Sequence, residues 1–300
     1  METTLHPLVL LAARHASATE TTTAIAGLTI WHSTVPTAPT PAMYDPKVYL
    51  LLQGAKRLSV GGKRFDFRAG GYAISSVGVP FTGAVIEASE ARPYLALGLA
   101  LNVRLVADLL LTMEAATEAP ATPALAFSQL TEAIIAPAYR LLRLLDTPAD
   151  IAMLAPLAER ELYYRLLQGP MGHTLRQAVQ HHPRFAQIRS AVAWISSNAN
   201  GPMSVAQVAR AVGMSLTSFH RHFKRVTGLS PLAFQRQVRL LHARQLLAVA
   251  STSVAAVAYQ VGYASAAQFS REYSKLFGSP PVREIVRESQ RATACAASRQ

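Results

Sequence analysis

Apolar positions along this chain follow two different periods. From about 28 to 98 they come as short runs broken by turn residues: KVYLLLQG, KRLSVGGKRFDFRAGGYAIS, TGAVIEA and PYLALGLAL. Many short runs at this spacing predict the strands of a small β-barrel or sandwich. Gly61 and Gly62, between Val60 and Phe65, both tolerate positive φ and predict a hairpin turn. From about 101 to 180 the period becomes helical, in NVRLVADLLLTMEAA, FSQLTEAIIAPAYRLLRLL and PADIAMLAPLAERELYYRLLQG. Pro120 and Pro123 break the first of these from the second. Leucines beside charges in YRLLRLL and ERELYYRLL suit helices packed on the barrel or on a second subunit. Residues 168–187, with their Gly, Pro and His, read as the end of a linker, in which the adjacent His181 and His182 are solvent-exposed rather than a metal site.

The helical period continues to the C-terminal end, but there it is duplicated. VAQVARAVGM (205–214) matches VAAVAYQVGY (254–263), and SFHRHFKRVTGLSP (218–231) matches QFSREYSKLFGSPP (268–281) one inserted residue later. Each unit starts at a serine suited to capping a helix, Ser204 or Ser253. A short amphipathic helix follows and ends at a glycine, which can take the left-handed conformation of a tight turn. A second helix then carries two aromatic rings four residues apart. Helix, Gly turn, helix is the helix-turn-helix, whose second helix enters the DNA major groove.

On a helical wheel Leu216, Phe219, Phe223 and Val226 share one side of the first unit's second helix, and Arg221 points away from them. Thr217, Lys224 and Arg225 flank that arginine, while His220 and His222 sit at the margins of the apolar stripe. By itself such a helix is more often a solvated charged surface. Between the units, residues 231–249 open on Pro231 and contain no later helix breaker. A helix of about 18 residues spans roughly 27 Å at 1.5 Å per residue, close to the roughly 34 Å between successive major-groove faces. One rod thus holds two recognition helices on one side of a duplex.

Charge sharpens this picture. Residues 184–300 hold 15 Lys or Arg against 3 Asp or Glu, whereas residues 1–183 hold 14 against 14, so the whole net charge of +12 lies in the last third. A basic domain joined to a neutral one points to a polyanionic partner for the first and another task for the second. Anionic membrane is a second polyanion, but no apolar run approaches the length of a spanning helix. The N-terminal apolar run, Pro7 to Ala13, lacks a basic flank and is too short for a secretory signal, so the protein reads as cytoplasmic. Cys295, the single cysteine, lies in a polar tail and reads as a free, inert thiol.

These residues resemble the AraC/XylS family of bacterial transcription regulators over about 188–285, with VGYASAAQFSREYSKLFGSPP similar to the family's signature region. The stretches GLTIWHSTVPTAPTPAMYDPKVYLLLQGAKRLSVGGKRF and RPYLALGLALNVRLVADLL resemble the N-terminal domain of one subgroup. The resemblance implies an α+β multidomain chain. A cupin-like β-barrel with a helical extension occupies 1–180, with barrel strands over 28–98 and helices over 101–180. An all-α double helix-turn-helix domain occupies 184–288, with units at 204–228 and 253–278, and a disordered tail follows at 289–300. Carried over by motif position, the base-reading residues fall on Thr217, His220 and Arg221, with Ser218 beside them, and on Ala267, Gln268 and Arg271. Lys224, Arg225 and Lys275 suit phosphates, which position without specifying sequence. Ala267 departs from the polar residue common there, leaving contact with a thymine methyl or little contribution. His220 stays open between packing and DNA contact.

The expected partners are promoter DNA, a small effector, a second copy of the chain and, for an activator, RNA polymerase. Trp31, Tyr44, Tyr49 and Phe67 are candidates for the effector pocket, though isolated strand aromatics are more often core. No cofactor or metal is expected: before residue 173 the only histidines are His6, His15 and His32, without the paired spacing of a metal-binding cupin. No phosphate loop, nucleophile elbow or HExxH run occurs, so the chain does not read as an enzyme. The competing readings are a constitutive DNA-binding protein whose first domain only dimerises, and a cupin enzyme tethered to DNA.

Overall fold

The computed structural model describes residues 2–113, 123–179, 183–249 and 253–283. In the main, the chain forms one compact unit reaching Ala186 and a second beginning at Gln187. Pro120, His181, His182, Cys295 and the tail at 289–300 lie outside the described residues.

The first unit contains two sheets. Strands β1 (Glu20–Thr22), β2 (Leu28–Ser33), β3 (Thr40–Tyr44), β4 (Lys47–Gln53), β5 (Ala55–Val60), β6 (Lys63–Arg68), β7 (Gly71–Ser75), β8 (Val79–Glu87), β9 (Tyr94–Ala100) and β10 (Leu125–Gln129) run in chain order. Six form a sheet in the order β1-β2-β9-β4-β7-β10, and four form a sheet in the order β3-β8-β5-β6. Gly61 and Gly62 make the β5–β6 hairpin turn at φ of 56° and 81°, with Val60 opposite Lys63.

Period-two alternation decides which side chains meet which layer. On β4 and β9, Val48, Leu50 and Leu52 and Leu95, Leu97 and Leu99 join one core cluster with the helices. Those helices are α1 (Glu2–His15), α2 (Val103–Thr112), α3 (Glu132–Arg143), α4 (Ile151–Gln168) and α5 (Gly172–Val179). Tyr49 and Gly98 fall on the opposite face, toward the smaller sheet. The Tyr163 hydroxyl on α4 donates to the Ala100 carbonyl at 2.8 Å and accepts from the Asn102 N–H at 3.1 Å, fixing α4 to the end of β9.

Three segments depart from the sequence reading. Residues 125–129 are a strand rather than the start of a helix: they pair antiparallel with β7, Phe127 opposite Ala73, and the Phe127 ring stacks on Phe65 at 5.1 Å. Five residues carry too little periodicity to outweigh an open sheet edge. Residues 2–15 form a full helix, with Leu5, Leu8, Leu11 and Ala12 buried, where the sequence showed only a short apolar run. Residues 172–179 are helical as well, with Leu175 and Ala178 buried in place of an open linker.

The second unit is helical: α6 (Pro183–Ser197), α7 (Val205–Ala211), α8 (Leu216–Thr227), α9 (Pro231–Val249), α10 (Val254–Gln260) and α11 (Ala266–Phe277). No helix among the described residues is long and apolar enough to cross a membrane.

Candidate nucleic-acid interface and ligand site

The duplication in sequence is a duplication in geometry. The Ser204 side chain accepts from the Gln207 N–H at the start of α7, and the Ser253 side chain accepts from the Ala256 N–H at the start of α10. Both helices end in the same turn. Gly213 (φ 71°) donates to the Arg210 carbonyl and Met214 to that of Ala209, while Gly262 (φ 85°) donates to Tyr259 and Tyr263 to Ala258. Ser215 and Ser265 then cap α8 and α11, accepting from the N–H groups of Ser218 and Gln268. Serine at each cap satisfies an N–H that a helix start otherwise leaves unpaired, worth about 1 kcal/mol apiece.

The aromatic pairs face inward as the spacing requires. Phe219 and Phe223 are fully buried with ring centroids 5.4 Å apart, and Phe223 meets Phe234 of α9 edge-on at 5.5 Å. Phe269 and Tyr273 repeat the pair at 5.5 Å, in a cluster with Leu240, Ala243 and Leu247 of α9. The connecting helix therefore supplies core to the second helix-turn-helix along its own face and receives the Phe223 ring of the first at Phe234. Leu216 was expected in the apolar stripe but is 46% exposed. As the first residue of α8 its side chain leans back past the helix start, beyond the rings it would need to touch.

On the outer side Thr217, His220, Arg221, Lys224 and Arg225 are exposed and Ser218 is half-buried; on α11 Ala267, Gln268, Arg271 and Lys275 are exposed. His220 is exposed with its ring 6.4 Å from that of Phe219, whereas His222 is buried. Gln268 is not a free reader: its amide donates to Glu272 at 3.2 Å. Glu272 also accepts from the Tyr263 hydroxyl at 2.8 Å and pairs with Arg236 of α9 at 3.4 Å. Burial, with the Glu272 hydrogen bond adding to it, pushes the Tyr263 phenol above its ordinary range. Glu272 is the single acidic residue between 184 and 283, and it ties the connecting helix to the second recognition helix.

Arg239, also on α9, is spent on structure. Its guanidinium donates to the carbonyls of Ala199, of Gly201 at 2.6 Å and of Gly262 at 3.2 Å, and Gln235 donates to Ala199 and Gly201 at 3.0 Å. Burial lowers the Arg239 pKa. None of these links was visible in sequence, because each joins residues more than 20 apart.

In the first unit the candidate aromatics separate. Tyr44 and Tyr49 meet edge-on at 4.3 Å, Trp31 lies 5.6 Å from Tyr49 and Phe81 lies 4.5 Å from Tyr44. Phe67 does not join them; it packs on Phe127 at 5.5 Å. The reason is the sheet order. β10 stands at the edge of the larger sheet and β6 at the edge of the smaller, so Phe67 closes a different margin. Burial pushes the phenols of Tyr44, Tyr49 and Tyr94 well above the usual range, so they are neutral hydrogen-bonding groups. Sequence reasoning missed Lys56, whose Nζ lies 5.2 Å from the Phe81 ring centroid. Desolvation lowers its pKa to about 8, opposed by the charge of Glu20. Among the described residues no cluster of three or more His, Cys, Asp or Glu is placed to hold a metal ion.

Comparison with known proteins places both units. Residues 24–174 match the AraC-type transcriptional regulator N-terminus, and residues 208–284 match a helix-turn-helix domain. The HTH-type transcriptional activator RhaS of Escherichia fergusonii is 31% identical over 133 residues, 44% of this chain and 47% of that protein. The HTH-type transcriptional regulator ExsA of Pseudomonas aeruginosa is 30% identical over 135 residues, with the same coverage of 44% and 47%. The chain thus spans about half the length of the curated relatives it matches. The crystal structure of apo ToxT from Vibrio cholerae shares the fold, with a TM-score of 0.55 at 10% identity over 87% of this chain and 97% of that one.

Proposed function

Since the chain belongs to the AraC-type transcriptional regulators, we propose that it is a cytoplasmic, sequence-specific regulator whose second unit, over 184–288, reads promoter DNA. The first unit, over 1–180, binds a small effector and pairs two chains. The observation that carries the DNA reading is the repeated geometry: two recognition helices with matched caps, turns and buried ring pairs, each presenting an exposed arginine opposite those rings, Arg221 and Arg271. The 19-residue α9 joins the two helix-turn-helix motifs, and at 1.5 Å per residue its length of roughly 28 Å suits neighbouring major-groove segments. Effector binding acts by shifting the population between arrangements that differ in affinity for DNA. Where the outcome is activation, RNA polymerase is the further partner.

Arginine reads guanine O6 and N7 with both arms, worth about 1–3 kcal/mol of discrimination. Arg221→Ala is therefore expected to relax preference at one operator position roughly 5- to 150-fold, read by competition against a panel of single-base operator variants. Unchanged discrimination across the panel removes Arg221 from base reading. Lys224 lies one turn further along the same exposed edge and suits a phosphate. Lys224→Ala is expected to weaken binding to every sequence and to reduce the slope of log K against log salt by about one. A loss confined to the cognate site contradicts that role.

A further inference from the structure

The two helix-turn-helix motifs share caps, turns and buried ring pairs, so a place where they differ is not a condition of the fold. Glu272 of α11 stands where the repeat puts the buried His222 on α8, and Gln268 stands where α8 has Ser218. Tyr263 follows the turn glycine where the first motif has Met214. The first motif thus folds with none of the three. Glu272 is also misplaced by charge. A carboxylate on a helix turned to a polyanion weakens binding to every duplex.

The geometry shows what it holds. One Glu272 oxygen, Oε2, is fixed from behind: it accepts from the Tyr263 hydroxyl at 2.8 Å and pairs with Nε of Arg236 at 3.4 Å. The other, Oε1, accepts from Nε2 of Gln268 at 3.2 Å, one helical turn back on the same face. Only the nitrogen of an amide can donate to a carboxylate, so this bond settles which way round the Gln268 amide lies. Its oxygen is turned away from Glu272 and, among the described residues, has no partner, while its nitrogen keeps a second N–H. Gln268 is exposed at the start of α11, the part of a recognition helix that meets base edges. An acceptor beside a donor complements adenine, which offers N6–H and N7 in the major groove. A reversed amide would instead turn N–H groups to the O6 and N7 acceptors of guanine.

We propose that Glu272 is a positioning residue for base reading: it holds the Gln268 amide in the orientation that reads adenine and excludes the reversed one that admits guanine. This rests on the reading of the second unit as a sequence-specific DNA-binding domain, and names one base and the group that sets it. A side chain ordered before DNA arrives loses less freedom on binding, an advantage of roughly 2- to 12-fold. Tyr263 and Arg236 serve the same end by ordering the carboxylate. The second motif therefore gains selectivity at one position and gives up affinity for DNA in general.

The test is selection of duplexes from a randomised library by the full-length protein, sequenced for the parent and its variants. One position of the parent motif is expected to carry adenine, and Gln268→Ala to erase the preference there alone. Glu272→Met, close in length but without an acceptor, is expected to lower adenine over guanine at that same position roughly 2- to 12-fold, while binding to a non-cognate duplex strengthens. Glu272→Gln keeps an acceptor oxygen and recovers part of the preference. An adenine preference unchanged in Glu272→Met, or cognate and non-cognate binding weakened together, overturns the positioning role. Should Glu272→Met fail to fold, the parent itself decides, by ¹⁵N relaxation of the Gln268 side-chain amide, assigned through its loss in Gln268→Ala. Order matching the α11 backbone is expected; motion as free as that of other exposed glutamines overturns the clamp. The two proposals fail differently. A parent motif with no adenine that depends on Gln268 refutes this inference and leaves sequence reading standing, whereas no enriched motif at all refutes both.

Discussion

Phe219→Ala is expected to lower the stability of the second unit by about 3–5 kcal/mol, the usual cost of emptying a fully buried phenylalanine site. Phe219 has no exposed surface, and its ring is one of a chain of contacts, Phe219 to Phe223 and Phe223 to Phe234, that connects α8 to α9. Removing it leaves a cavity next to the ring that holds the two helices together, so the exposed face bearing Arg221 loses its support as well. Urea unfolding of the full chain, read at Trp194 of α6 in a background where Trp31 is phenylalanine, isolates the second unit from the first. A loss below about 1 kcal/mol contradicts the inward orientation of α8.

The two turn glycines offer a second test, in which the repeat predicts a difference. Both hold positive φ, so alanine at either costs about 1–2 kcal/mol from backbone strain alone. At Gly213 the nearest atom to an added Cβ is the Gln187 amide nitrogen, at the end of a flexible side chain, 3.3 Å away. At Gly262 the Cβ would run into the Asn200 backbone carbonyl, which belongs to the loop that Arg239 and Gln235 hold in place. Gly262→Ala is therefore expected to cost at least about 3 kcal/mol, strain plus overpacking, against about 1–2 kcal/mol for Gly213→Ala. Equal losses in the same urea titration contradict the role given to the 199–201 loop.

The helix-turn-helix pair was legible because everything that defines it is local. A serine, a glycine nine residues on and two rings four apart fix caps, turn and buried face without reference to the rest of the chain. Appearing twice, the pattern checks itself. What the sequence concealed was of longer range. Glu272 holding Tyr263 and Arg236, and Arg239 bridging two loops, are contacts between segments whose spacing carries no period. In the first unit strand content was plain from alternation, but not which strands share a sheet. Trp31, Tyr44 and Tyr49 therefore could not be separated from Phe67 until the order of strands was known. Lys56 looked like an ordinary polar residue in KRLSV, and only the ring beside it and its burial set it apart. Strand β10 escaped because five residues in a helical neighbourhood were decided by the free edge of β7.

The proposed function requires this chain to read DNA sequence with two helix-turn-helix units at once. The sharpest check is genomic DNA-affinity sequencing with the purified full-length protein at near-physiological salt, with and without a panel of small-molecule metabolites. A few sharp peaks upstream of genes are expected, sharing a bipartite motif whose halves lie about one helical turn apart. Diffuse binding under both conditions, fading with a modest rise in salt, would show a cationic surface held to phosphates and contradict sequence reading by Arg221 and Arg271.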